Sequence, residues 1–124
     1  ADSAQVVAAL DDPQKLIFDA RSADRFYARV SEPRQNLRSG HMPNALSLPH
    51  PELASVGHLA DPAALQKAFT EKGAKDQELI FTCGSGITAC ILALAAVEAD
   101  FPKIKVYDGS WSEWASDPDL PVVS

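Results

Sequence analysis

Cys83 stands at the most chemically suggestive junction in the chain. The apolar run Leu79-Ile80-Phe81-Thr82 reads as a buried strand; it ends in Cys83-Gly84-Ser85-Gly86, and residues 88 to 99 read as a helix. Glycines let such a turn adopt positive φ and aim successive N–H groups inward. Together with the N-terminal end of a helix dipole, that cradle favours negative charge at its centre. A thiol held there is expected to have a lowered pKa, which is the setting of a sulfur nucleophile. The plainer reading makes Cys83 a small buried apolar residue above an ordinary turn. Two neighbouring chemistries lack a residue they need. A P-loop ends in Gly-Lys-Ser/Thr, and Ile87 stands where the lysine would be. A cysteine phosphatase or an arsenate reductase on a similar fold closes a Cys-x5-Arg loop on its anion, and that arginine position is Ala89.

The other reactive side chains have bland readings beside their sharp ones. His41 is tempting as a general base, since an imidazole can gain or lose a proton near neutral pH, yet it reads as a hydrogen-bonded structural residue. Asp19 and Asp108 follow strand ends, where capping and turn roles are the default. Trp111 and Trp114 share a helix face and read as core. Cys90, inside the helix, is expected to be packed and inert. His50 and His58 are expected to be exposed and lack helical zinc-site spacing, and no metal site or cofactor is anticipated.

The elements that must position these groups alternate. Ser3 is a candidate cap for a helix over 4–10, and Leu16-Ile17-Phe18 reads as a strand. Ser22 is a candidate cap for a helix through Phe26 and Tyr27. Residues 29–40 read as loop and 45–48 as a strand. Residues 49–60 read as irregular with one helical turn. Asp61-Pro62 starts a helix that Gly73 stops. Ile104 to Tyr107 reads as the last strand, and Ser110 as the cap of a short helix over Trp111 and Trp114. Such alternation predicts an α/β domain with a mainly parallel sheet. Sites in such folds lie at the carboxyl ends of the strands, beside Asp19, Cys83 and Asp108.

Composition narrows the classes. The chain has 124 residues, 46% hydrophobic and 23% charged, which fits one ordinary domain over 1–124 and argues against disorder. Its net charge of −6 argues against a nucleic-acid partner, and no apolar run is long enough to span a membrane. Two cysteines cannot make a disulfide framework or a four-ligand zinc site, and they point to a reducing compartment, the cytoplasm.

Cys83-Gly84-Ser85-Gly86-Ile87-Thr88 closely resembles the active-site loop of the 3-mercaptopyruvate sulfurtransferases of the rhodanese superfamily. The resemblance extends along the chain through Asp19-Ala20-Arg21, Arg25-Phe26, Ser31-Glu32-Pro33-Arg34, Gly40-His41-Met42-Pro43-Asn44-Ala45 and Tyr107-Asp108-Gly109-Ser110-Trp111-Ser112-Glu113-Trp114. Asn44 departs from the family's usual glycine. Gly84 and Ser85 replace the basic residues of thiosulfate sulfurtransferases.

The resemblance implies a rhodanese-like domain with helices on both sheet faces and Cys83 as a persulfide carrier. It implies a small anionic sulfur donor, 3-mercaptopyruvate, and a thiol acceptor such as thioredoxin, or cyanide. Ser85 and Thr88 would offer hydroxyls to the sulfur. Arg25 and Arg34 would bind the donor carboxylate, with Arg21 structural; spacing alone does not select them over Arg29 or Arg38. The family's usual chain pairs two such domains, so this one, which begins without Met, is expected to be a C-terminal half with an N-terminal rhodanese-like domain as its partner. The alternatives are a thiosulfate sulfurtransferase or a non-enzymatic persulfide-carrying or docking module.

Overall fold

Alternating side chains on two central strands sort the protein into two cores. The computed structural model describes residues 2–32, 37–55, 58–84 and 88–123, with the backbone alone at 54, 55 and 58. The elements are α1 (Ser3–Ala9), β1 (Lys15–Asp19), α2 (Ala23–Phe26), β2 (Leu46–Ser47), a 3-10 turn (His50–Glu52), β3 (Ala54–Ser55), β4 (His58–Leu59), α3 (Pro62–Glu71), β5 (Glu78–Thr82), α4 (Ala89–Glu98), β6 (Ile104–Val106) and α5 (Ser110–Trp114). The main sheet is parallel, in the order β2-β1-β5-β6. Its central register pairs Ile17 with Ile80, Phe18 with Phe81 and Asp19 with Thr82.

Successive strand residues point to opposite faces. Phe18, Leu79 and Phe81 therefore meet Leu65 and Phe69 of α3 and Leu92, Ala95 and Ala96 of α4. Ile17 and Ile80 meet Val6 of α1, Phe26 of α2 and Trp111 and Trp114 of α5 on the other face. Phe18 stacks on Phe81 at 5.8 Å and meets Phe69 edge-on at 5.5 Å. Both faces of a parallel sheet are thus covered, as its continuous apolar strands require.

Local chemistry explains most boundaries. The Ser22 hydroxyl accepts from the Arg25 N–H, and the Asp61 carboxylate accepts from the Ala64 N–H. Gly73, at φ 101°, turns the chain out of α3 in a conformation that favours glycine. Several details differ from the sequence reading. Asp2 rather than Ser3 caps α1, in a reciprocal pair with Gln5. The segment 49–60 contains its one helical turn and also an antiparallel β3–β4 pair. Such two-residue strands are too short to carry a period. The expected strand over 45–48 is regular only at Leu46–Ser47.

Candidate active site

The connection after β1 leads to β2 on one side, and the connection after β5 leads to β6 on the other. The crevice of this open sheet therefore lies above the carboxyl ends of β1 and β5. One end supplies Asp19, Arg21 and, one turn on, Arg25; the other supplies Cys83 and Gly84.

Cys83 is 1% exposed, at the edge of the α3/α4 core. Its N–H donates to the Ser110 hydroxyl oxygen at 3.0 Å, and its C=O accepts from the Trp111 N–H at 2.8 Å. The Gly84 C=O accepts from the Ser112 N–H at 3.0 Å. The start of α5 thus fixes the backbone on which the thiol rides. Ser110 Oγ lies 2.8 Å from the Tyr107 C=O and 3.9 Å from Cys83 Sγ. A hydroxyl has one proton, and the shorter contact takes it. Ser110 is fully buried and holds φ at 50°, a left-handed conformation that costs a non-glycine residue about 1 kcal/mol.

Charge is concentrated beside this backbone. Arg21 donates from Nε and Nη2 to the Asp19 carboxylate, from Nη2 to the Gly40 C=O at 2.7 Å, and from Nη1 to Glu32 Oε2 at 3.1 Å. Its side chain is 0% exposed, and its guanidinium lies 4.2 Å from the Trp111 ring centroid. Arg25 donates from Nη2 and Nε to Glu32 Oε1, at 2.7 and 3.2 Å. A Cβ added to Gly84 would stand 2.9 Å from Arg25 Nη2, so the guanidinium lies directly against the residue after Cys83. Arg25 is 28% exposed in its side chain, while Glu32 is 1%. Among the described residues, Arg25 Nη1 has no hydrogen-bond partner, which leaves a donor edge for an anion beside the cysteine turn.

Of the residues singled out in sequence, Cys83, Gly84 and Arg25 come together. Thr88 caps α4 through its backbone, without a side-chain capping bond. Arg34, Ser85, Gly86 and Ile87 lie outside the described residues, as does the side chain of His58. His41 is structural: its Nδ1 lies 2.7 Å from the Phe26 C=O, and its ring stacks on Phe26 at 3.8 Å. Asp19 serves Arg21, and Asp108 is exposed in a turn. Trp111 and Trp114 are core, at 1% and 0% exposure.

Two expectations are corrected. Cys90 is exposed rather than packed, because α4 is apolar on its outward side too, where Leu94 and Val97 are also exposed. His50 is half-buried rather than exposed, because the 3-10 turn folds back and its N–H donates to the Ala20 C=O. The sequence reading missed two contributors. Ser110 reads in the sequence as a cap, but the N-cap of α5 is Gly109 and no side chain caps it; the Ser110 hydroxyl instead reaches Cys83, because Ser110 follows β6, the neighbour of β5. Glu32 sat in a polar loop with no spacing to mark it. Among the described residues, no cluster of three or more His, Cys, Asp or Glu could hold a metal ion. No helix there is long and apolar enough to cross a membrane. A depression of about 480 Å³ at the amino end of β1, beside Leu10, Asp12, Lys15 and Asn44, contains none of the site groups.

Comparison with known proteins gives the chain several relatives. The profile of the rhodanese-like domain matches residues 2–117. The 3-mercaptopyruvate sulfurtransferase of Escherichia coli strain K12 is 48% identical over 107 residues, which cover 86% of this chain and 38% of that protein. The mitochondrial thiosulfate/3-mercaptopyruvate sulfurtransferase 1 of Arabidopsis thaliana is 39% identical over 122 residues, 97% of this chain and 32% of that protein. The chain thus spans about a third of the length of these curated relatives. The crystal structure of Tum1 from Saccharomyces cerevisiae superposes with a TM-score of 0.83 at 28% identity, covering 98% of this chain and 45% of that one.

Proposed function

This chain belongs to the rhodanese-like domain family, and on that premise we propose that it is a sulfurtransferase domain whose Cys83 carries sulfur from 3-mercaptopyruvate to an acceptor. The observation that carries this reading is the juxtaposition at the two strand ends: a cysteine on a backbone fixed by α5, with an arginine lying on the next residue. In the proposed reaction the Cys83 thiolate attacks the donor sulfur. The new S–S bond forms as the C3–S bond breaks, and its electrons pass to the carbon as the enolate of pyruvate, which takes a proton. A thiolate or cyanide then attacks the outer sulfur and returns Cys83 as a thiolate. Arg25 would hold the donor carboxylate through its outward donor edge, a pairing that stays charged at every working pH. Arg34 would be its companion, and the N–H groups of Ser85, Gly86 and Ile87 with the Ser85 and Thr88 hydroxyls would surround the outer sulfur.

The relatives' greater length supports an N-terminal rhodanese-like domain as the partner that completes the site. A reducing compartment such as the cytoplasm would keep Cys83 a thiol, and a thiol protein such as thioredoxin would serve as acceptor there. The Arabidopsis relative's double name favours one second reading, thiosulfate as an alternative donor.

The test is the intact mass of the chain after 3-mercaptopyruvate, or separately thiosulfate, is added without an acceptor. A gain of one sulfur, about 32 Da, on the parent but not on Cys83→Ser supports the persulfide at the expected thiolate. A gain only with thiosulfate moves the donor to the second reading. No gain with either donor, when a longer form carrying the preceding domain does gain, assigns the missing groups to that partner. No gain in the longer form either rejects the proposal.

A further inference from the structure

We infer that Glu32 is the positioning residue of the donor site, the group that aims Arg25 at the cysteine turn; this rests on the reading of Arg25 as the carboxylate ligand. Arg25 projects from a helix of four residues, and its long side chain has many rotamers of its own. What holds it against Gly84 is one carboxylate oxygen, Glu32 Oε1, which takes both Nη2 at 2.7 Å and Nε at 3.2 Å. The other oxygen of the same carboxylate is taken by Arg21 Nη1.

The contacts close a ring. The Cys83 C=O accepts from the Trp111 N–H, the Trp111 ring faces the Arg21 guanidinium, Arg21 pairs with Glu32, Glu32 pairs with Arg25, and Arg25 lies on Gly84, the residue bonded to Cys83. Glu32 is the link that converts a buried, immobile arginine into an aimed one. Because it occupies the Nε/Nη2 edge, it leaves the Nη1 edge for the donor. The Glu32 side chain is 1% exposed and lies between two guanidiniums, so both of its oxygens are held by ion pairs.

A merely structural glutamate would change stability alone; a positioning one changes donor affinity through Arg25. Glu32→Gln keeps the volume but leaves one acceptor for two guanidiniums; the buried Arg21 takes it, and the amide donors then face Arg25, donor against donor. With Arg25 no longer held, each donor must order it anew. The expected result is a rise of about tenfold in KM for 3-mercaptopyruvate with kcat within about twofold, the order of one long side chain's ordering cost. In an Arg25→Ala background the same substitution is expected to add nothing, because the two act as a unit.

A second readout needs no turnover. The Arg25 Nε–H, hydrogen-bonded to Glu32, is expected to exchange slowly in the parent and fast in Glu32→Gln by NMR. Should Glu32→Gln fail to fold, Glu32→Asp replaces it. Its charge still pairs with Arg21, but one methylene less keeps it from reaching both arginines, so the same two shifts are expected, smaller.

An unchanged KM and unchanged exchange in a folded Glu32 variant overturns the inference. So does a KM rise that persists undiminished in Arg25→Ala. If Arg25→Ala itself leaves KM unchanged, the donor reading falls and the role of Glu32 falls with it; Nε–H exchange that still depends on Glu32 then identifies the premise, not the contact, as what failed.

Discussion

The carboxyl ends of β1 and β5 lie side by side in one sheet and are built in different ways. The β5 end is tied mainly by backbone, Cys83 C=O to Trp111 N–H and Gly84 C=O to Ser112 N–H, with one side-chain acceptor, Ser110 Oγ, for the Cys83 N–H. The β1 end is tied by charge: Asp19, Arg21, Glu32 and Arg25 alternate in sign, and three of the four side chains are at most 1% exposed. Backbone ties depend on the conformation of the chain and tolerate many side chains. Ion pairs depend on residue identity, because each buried charge needs its opposite. The proposed nucleophile therefore sits on the tolerant half and its proposed anion ligand on the exacting half, and substitutions on the two sides should differ in size.

The sharpest way to break this contrast is Arg21→Met. Methionine approximates the volume but strands the Asp19 carboxylate in the interior and leaves the Glu32 carboxylate to Arg25 alone. The expected loss is about 3–5 kcal/mol of unfolding free energy, measured by urea denaturation. That is a large part of the roughly 5–15 kcal/mol a domain possesses. Lys67→Met at the exposed Lys67–Glu71 pair, with side chains 77% and 65% exposed, should change stability by at most about 0.5 kcal/mol. Equal losses at the two sites would end the claim that the β1 end is held by buried charge.

On the β5 side the expected effects are smaller. Ser110→Ala removes the acceptor of the buried Cys83 N–H and should cost about 1–3 kcal/mol. Ser110→Gly removes the same acceptor but relieves the strain of φ 50°, worth about 1 kcal/mol. The glycine variant should therefore unfold at higher urea concentration than the alanine one. The reverse order would show that φ 50° at this position stores no strain that glycine relieves.

The same contrast explains what was legible in the sequence. Cys83 and its strand were legible because period, glycines and helix start are local signals. So were the caps Ser22 and Asp61, whose partners lie three residues on. Arg25 could not be chosen from its neighbours by spacing, because its place beside the cysteine turn comes from contact with Gly84, 59 residues away in sequence and adjacent in space. Glu32 and Ser110 were hidden for the same reason. Cys90 misled because α4 is apolar on every side, so no face announces which way it turns. The two-residue strands β3 and β4 are held by a pairing that no short window contains.

The smallest expected effect concerns the footing of α5 itself. Burial pushes the Tyr107 phenol well above its usual range, and its hydrogen bond to Glu113 Oε1, at 2.6 Å, adds to the shift. Below about pH 10, the ordinary tyrosine value, the proton is bound in both folded and unfolded chains and the phenol's contribution is constant. Above it the unfolded chain releases the proton while the folded chain keeps it, so stability falls as pH rises, by at most about 1.4 kcal/mol per unit. Tyr107→Phe has no such proton. Its exposed neighbour Glu113 turns to water, so the cost at neutral pH is small. Between pH 10 and 11 the parent should lose about 1 kcal/mol more than the phenylalanine variant. Equal alkaline slopes would mean that the phenol ionises within the native fold. The edge where Tyr107 meets Glu113 would then open to water at high pH.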